Sequence, residues 1–417
     1  MKEIYLLPTK GVNPVPVLPV ASNTLIATIL RYDRKITSYK IALIRALNDV
    51  VLSFPDIVAQ SEYGNNEGGQ GRRDVAVPLR MLAQFWVAYY FPFADPKRPI
   101  RQGQASVLNG QLRSDVSFRP ALGGLRNEWE SVIGTSALPS DGFFLRAEFQ
   151  TPRRRNSYPP ALQNAFDAAV RECMDALEQP IRYAGGGKNE YSVFEKPKRL
   201  EEIGAEVIPL PGAGAKDRCL RVSATLWDSF RELSLWIEAL CLHEWALFTE
   251  NIARGEAGAP NRGEVYFLLT ARPGNRRPLT WERNRIEILM MEGHEFRCPW
   301  TKKALTATSA FDIDHLLPLA VYPANEMWNL LPADRTFNQH TKRDRIPSLK
   351  RLVEAKPLVA RTYTLYETAP DLKTAMREDA EVRFAGLQGG MAFSDELAER
   401  AMRFIEEVAN SRGVARF

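Results

Sequence analysis

Residues 311–348 read FDIDHLLPLAVYPANEMWNLLPADRTFNQHTKRDRIPS and constrain the fold more than any other part of the chain. The stretch opens on Asp312-Ile313-Asp314-His315, passes Trp328-Asn329, and closes on Asn338, His340 and Lys342. Carboxylate, imidazole, carboxamide and ammonium groups are thus gathered within forty residues of an otherwise apolar pattern. A helix is expected to begin near Arg335. Asn338 and Lys342, four apart, would share a face of that helix, with His340 about 200° around from Asn338 at roughly 100° per residue.

The order and spacing resemble the HNH nucleases, also called ββα-metal nucleases, and the HNH domain of RNA-guided CRISPR effectors in particular. Asn329 falls fourteen positions after His315 and Asn338 twenty-three after it. Pro318, Leu330 and Arg345-Ile346-Pro347 agree with the flanks of that motif. The resemblance covers residues 290–350. It implies a phosphodiester hydrolase in which His315 is the general base, Asp314 and Asn338 ligate a divalent cation, and Asn329 ties the loop back so that His315 stays oriented. Lys342 would contact phosphate. Relatives carry Asn-x-x-Lys where this chain has Asn-x-x-x-Lys, so a one-residue shift would bring His340 to the metal instead. Arg335, Arg343, Arg345, Arg276 and Arg277 are candidate nucleic-acid contacts.

The chemistry is consistent with these residue types. A neutral imidazole takes a proton from water near pH 7. Hard cations such as Mg²⁺ or Mn²⁺ prefer oxygen donors and keep several waters, so one carboxylate and one carboxamide suffice. Asp314 and His315 would face opposite sides of a regular strand, so both reach one site only if the strand ends or bends there.

The rest of the chain bounds the reading. Its 417 residues suit two or three domains. With 45% apolar and 25% charged residues it reads as a soluble globular protein. Four scattered cysteines argue for a reducing, cytoplasmic setting. The first residues lack a signal-peptide pattern, and no apolar run approaches the ~20 residues a membrane span needs. A net charge of +5 permits a polyanionic partner without requiring one. His243-Glu244 lacks the second histidine of His-Glu-x-x-His and reads as a helix residue in a core or interface; His294 reads as a loop residue.

Helical periodicity is expected over 24–52, 78–92, 160–182, 225–253, 280–291 and 394–411. Residues 61–73 and 100–158 read as irregular, YSVFEK at 191–196 as a short strand, and 209–216 as a linker. The expected fold class is mainly α and multidomain (α+β overall). The expected divisions are a helix-rich recognition or regulatory region at 1–208, a helical connector at 209–289, the ββα-metal nuclease core at 290–350 and a helical tail at 351–417. The expected function is a Mg²⁺- or Mn²⁺-dependent endonuclease acting on double-stranded DNA in bacterial or phage defence. A protein partner or a homodimer would form through the N-terminal region. The alternatives are an RNase, or a non-catalytic nucleic-acid-binding or complex-forming subunit with a structural HNH fold.

Cys298-Pro299-Trp300-Thr301 stands where relatives carry the first half of a zinc knuckle, with Thr301 replacing the second cysteine and no cysteine following. No structural zinc is therefore expected. Elemental analysis of purified protein should find zinc far below one per chain; zinc at one per chain, lost together with activity, would overturn this.

Overall fold

The computed structural model describes residues 22–417 except 56, 58–72, 105, 109–110, 114, 186–190, 192, 205–206, 256–257, 273–278, 320, 323–324, 385 and 388–392. The expected loop at 61–73 lies outside the described residues except for Arg73, and Arg276 and Arg277 lie outside them entirely. Helices dominate, with small sheets, so the chain is mainly α. Two compact units form: one from residues up to Leu52 with 57–142 and 159–271, the other from 53–56, 143–158 and 272–417.

In the first unit the helix Tyr39–Ser53 is buried on nearly every side. Its polar residues are placed accordingly. The Arg45 guanidinium donates to Leu269 O at 2.8 Å and lies 4.3 Å from the Tyr89 ring centre. Asn48 donates to Ser234 O, and Asp49 accepts from Tyr89 OH at 2.7 Å. The expected helix over 24–52 is interrupted before it, because Asp33 is held by Lys40 and by the Gly185 amide. Residues 36–38 then run extended beside 102–104.

The helix Leu79–Tyr90 follows directly from strand β1 (Val75–Pro78) and carries Trp86 and Tyr90 into an aromatic cluster with Tyr39, Phe118 and Trp245. The start of the next stretch packs close to it. A Cβ on Gly142 would lie 2.7 Å from Phe91 Cβ and 2.9 Å from Ala88 Cα, so only glycine fits there.

After the hairpin β2 (Ser106–Leu108) and β3 (Gln111–Arg113), the expected irregularity over 100–158 gives way to helices at Arg119–Ile133, Asp141–Glu148 and Pro152–Arg155. Gly123 and Gly124 weaken the helical signal of the first. Pro120 in its first turn and Gly134 at its C-terminus, with φ 67°, delimit it. The helix Pro160–Tyr183 buries Leu162, Phe166, Cys173 and Leu177 along one stripe.

YSVFEK is not a strand where described; pairing begins later, at β4 (Lys198–Arg199). With β5 (Ile208–Pro209) and β6 (Arg218–Val222) it builds a sheet in the order β4-β6-β1-β5. β1 pairs antiparallel to β6 and parallel to β5, so part of the stretch read as a linker is a strand. Helices Ala224–Glu232, Ser234–Ile252 and Arg262–Thr270 complete the unit. His243 is exposed on its helix, whereas Glu244 is buried and pairs with Arg31 at 3.1 Å.

In the second unit the helix Thr280–Met291 leads into a small hairpin, β7 (Phe296–Arg297) with β8 (Ala304–Leu305). A second pair follows, β9 (Phe311–His315) antiparallel to β10 (Leu330–Asp334). Helices Leu349–Tyr366, Pro370–Arg383 and Phe393–Arg412 enclose it. Trp328, Phe384 and Phe404 pack edge-on at the centre.

Charges are buried in this core. Arg383 donates to Glu326 at 2.7 Å, with both side chains no more than 2% exposed. Arg154 meets Asp379 at 2.7 Å, and Asp379 accepts the Met327 amide at 2.6 Å. Glu326 also accepts from Trp328 Nε1. Removing one member of a buried pair strands the other charge and costs about 3–5 kcal/mol. Arg383→Met should therefore lower the unfolding free energy by that order in chemical denaturation followed by tryptophan fluorescence, and a value near wild type would show that the pair is dispensable.

Candidate active site

The site grows out of the β9–β10 pair. His315 faces Leu330 across the ladder and Asp314 faces Leu331. β9 ends at His315, which is the condition that lets adjacent residues serve one site. Asp312 and Asp314, two apart on the strand, share a face. The helical segment that follows β10 packs against that face. Asp334 caps it by accepting the Phe337 amide at 2.9 Å, and Lys303 holds the other carboxylate oxygen at 2.8 Å. The Lys303 contact, with the Phe337 amide, keeps the Asp334 carboxyl below its usual range.

The segment starts as one α turn at Arg335–Phe337 and continues as a π turn over Asn338–Lys342, closed by Arg343 N donating to Asn338 O at 2.8 Å. Asn338 Nδ2 lies 3.5 Å from Asp312 Oδ2, and Gln339 donates to the same oxygen at 3.0 Å. Arg335 pairs with Asp312 Oδ1 at 2.9 Å. Lys342 is only 1% exposed at its side chain and donates to both Asp314 Oδ1 and the His315 carbonyl, each at 2.7 Å. Expected as a phosphate contact, it bridges the Asp314 carboxylate and the His315 backbone in this structure. His340 is exposed. Arg343 is exposed too, at φ 52°, where the helical path breaks, and Arg345 donates to the Thr341 carbonyl.

His315 Nε2 lies 2.7 Å from Asn325 Oδ1. A carboxamide oxygen only accepts, so Nε2 carries the proton and Nδ1 is the basic nitrogen. Burial holds the imidazole below its ordinary pKa, against the opposing pull of Asn325 and Asp314. Asn329 is fully buried; its side chain accepts the Leu317 amide at 2.8 Å and donates to the Leu317 carbonyl at 3.0 Å, clamping the backbone just past His315. Asp314 Oδ2 accepts Trp300 Nε1 at 3.0 Å. Trp300 sits in the β7–β8 turn, which closes without a second cysteine through Lys302 N to Cys298 O and Cys298 N to Lys303 O, both 2.9 Å.

Sequence reasoning brought His315, Asp314, Asn329, Asn338, Lys342 and Arg335 to one place. It missed Asn325, Trp300 and Gln339. Asp312 had a legible signal, since i and i+2 on a strand share a face; Asn325 had none.

Among the described residues no group of three or more His, Cys, Asp or Glu side chains is placed to hold a metal ion. The donors present are nevertheless of the right kind for a hard divalent cation. Asp314 offers four lone-pair sites, of which Lys342 and Trp300 engage two. Asn338, whose Nδ2 lies 3.5 Å from Asp312 on the same strand face, adds a carboxamide oxygen. An oxygen donor set of this kind suits a divalent cation that keeps several of its waters.

The strand pair, the turn before it and the helix after it define an HNH endonuclease domain: a family model with the description "HNH endonuclease" matches residues 298–348, from Cys298 to the residue before the helix Leu349–Tyr366. The chain as a whole belongs to the family described as "Domain of unknown function (DUF8808)", whose model matches residues 20–269, a stretch that ends just short of the first unit's last residue, Ala271. No curated protein and no solved structure matches the chain.

Asn338 and His340 can be ranked on this geometry. Asn338 lies against the strand face that carries the carboxylates, while His340 is exposed. Asn338→Ala should damage cleavage far more than His340→Ala, with excess Mn²⁺ partly restoring the former. Nicking rates of both variants across Mg²⁺ and Mn²⁺ titrations check this; a dead, metal-sensitive His340→Ala beside an active Asn338→Ala would reverse the assignment.

Proposed function

We propose that the protein is a metal-dependent DNA endonuclease in which His315 is the general base. The observation that carries this reading is the fixed, neutral imidazole at the end of β9, adjacent to a buried carboxylate, in a segment that matches an HNH endonuclease family. Nδ1 of His315 takes a proton from the attacking water. Asn325 holds the ring's other nitrogen, and Asn329 holds the backbone beyond it, so the base stays in one tautomer and one direction. Lys342 acts as a positioning residue that keeps Asp314 and the end of β9 together.

Asp314 and Asn338 would hold the cation, with Asp312 on the same strand face. When bound, such an ion neutralises charge on the phosphate and on the leaving oxygen. Arg335, Arg343 and Arg345 are assigned to the nucleic acid, with Arg335 exchanging its Asp312 partner for phosphate. Target recognition is assigned to the first unit. A region of that length joined to a small catalytic module suits a nuclease aimed at particular targets, as in restriction or anti-phage defence. One such site acts on one scissile phosphate, so a double-strand break needs a dimer or two successive nicks.

A plasmid-nicking assay tests the reading directly. Cleavage is expected with Mg²⁺ or Mn²⁺ and not with EDTA. His315→Ala should lower the rate about 10²–10⁴-fold, the usual contribution of a general base, with the fold retained by circular dichroism. A near wild-type rate in this variant would remove His315 as the base. Labelled RNA in parallel decides between polymers, and cleavage of RNA alone would overturn the DNA assignment.

A further inference from the structure

We propose that the cavity beside the β7–β8 turn binds a phosphate of the polynucleotide backbone other than the scissile one; this rests on the nuclease reading for its class of ligand. The cavity measures about 320 Å³. Lys302, Lys350 and Arg351 line it, and Trp300 forms part of its wall.

Its cations differ from several others in the unit. Arg283, Arg285, Arg335, Arg361 and Arg377 each meet a carboxylate. Among the described residues Lys302, Lys350 and Arg351 meet none. Glu354 also lines the cavity, which leaves three cations facing one carboxylate. Three unneutralised cations around a concave polar surface raise the local concentration of anions. The helix Leu349–Tyr366 adds to this, because Ser348 at its start makes no side-chain cap bond and lines the same cavity.

The cavity is built into the site rather than lying on a loose surface. Arg351 stacks over Phe417 and Phe337, at 5.0 and 5.6 Å from the ring centres, and Phe337 immediately precedes Asn338. Trp300 packs edge-on against Phe417 at 5.5 Å. The Trp300 indole also donates to Asp314 Oδ2 at 3.0 Å, so one ring touches the carboxylate and walls the cavity. A strand whose scissile phosphate lies at Asp314 is thereby given a second anchoring point next to it. Such contacts fix register without reading sequence.

Binding separates this from the chemistry. Fluorescence anisotropy with a labelled DNA duplex should be run on the full chain carrying His315→Ala, so that the probe is not cut. The same chain with Lys302→Asn and Lys350→Ala is compared across a KCl series. Asparagine tolerates the left-handed backbone at position 302, where φ is 62°. The double variant should bind unrelated duplexes more weakly, and its plot of log affinity against log salt should be shallower by about one unit per lysine that contacts phosphate. Equal melting temperatures exclude misfolding as the cause. An unchanged slope overturns the proposal. So does a variant that loses only inorganic phosphate or mononucleotide binding, which would mark a small-anion site. Cleavage by the otherwise wild-type chain is scored separately: duplex binding with the expected slope change but no cleavage keeps the cavity and removes the nuclease reading, and cleavage with an unchanged slope does the reverse.

Discussion

The placement of the proposed base depends on a buried ion pair. Glu326 and Arg383 lie out of water within the second unit, and Glu326 opens the short turn that carries the chain into β10. That turn is tied at successive points: the Glu326 carboxylate by Arg383, the Met327 amide by Asp379, and the Trp328 carbonyl by Tyr363 OH. Asp379 is itself neutralised by Arg154, and burial pushes its carboxyl above the usual range. Asn325 stands just before this turn and Asn329 ends it. A loop held only by apolar contacts would tolerate a shift of its backbone. One held by desolvated charges does not, because any displacement leaves a charge without its partner. Stiffness is delivered in this way to the two amides that orient His315 and the residues behind it.

Lys342 illustrates a related economy of charge. A lysine whose ammonium is excluded from solvent and shared between a carboxylate and a carbonyl has one remaining proton to offer. Its effect on the site passes through Asp314: the carboxylate keeps its orientation, and its negative charge is partly offset before any cation arrives. The segment Asn338–Lys342 closes as a π turn, with both Asn338 and Lys342 against β9.

Legibility in the sequence followed the physics of each element. The strands β9 and β10 and the residues on them were readable because reactive polar side chains sit at fixed spacings among apolar neighbours. Helices such as Pro160–Tyr183, Thr280–Met291 and Phe393–Arg412 announced themselves by period. The four-stranded sheet did not. Two of its strands are two residues long and β1 lies more than a hundred positions before the other three, so neither alternation nor proximity could reveal it. Arg119–Ile133 was hidden by a Gly-Gly pair in its middle. Asn325 and Trp300 were invisible for another reason: a hydrogen bond to His315 or Asp314 is a property of three-dimensional closeness, and neither residue sits at a diagnostic interval. Lys342 was read as a phosphate contact on the face of Asn338; its burial was not legible, because spacing says which side a residue takes and not how deeply it lies.

The second unit is not continuous along the chain. Arg154, which neutralises Asp379, comes from 143–158, and the backbone carbonyl of Ser53 accepts from Arg383. Ribosomal synthesis delivers these pieces long before β9 emerges, so they wait unpaired while the whole of 159–271 is made. The nuclease part therefore closes last, over long loops whose entropy must be overcome at the end of folding. The same interleaving bears on descent. A module stitched into its host at three separate places cannot be exchanged by a single recombination joint, so this domain and its companion are expected to have been inherited as one piece rather than shuffled as a cassette.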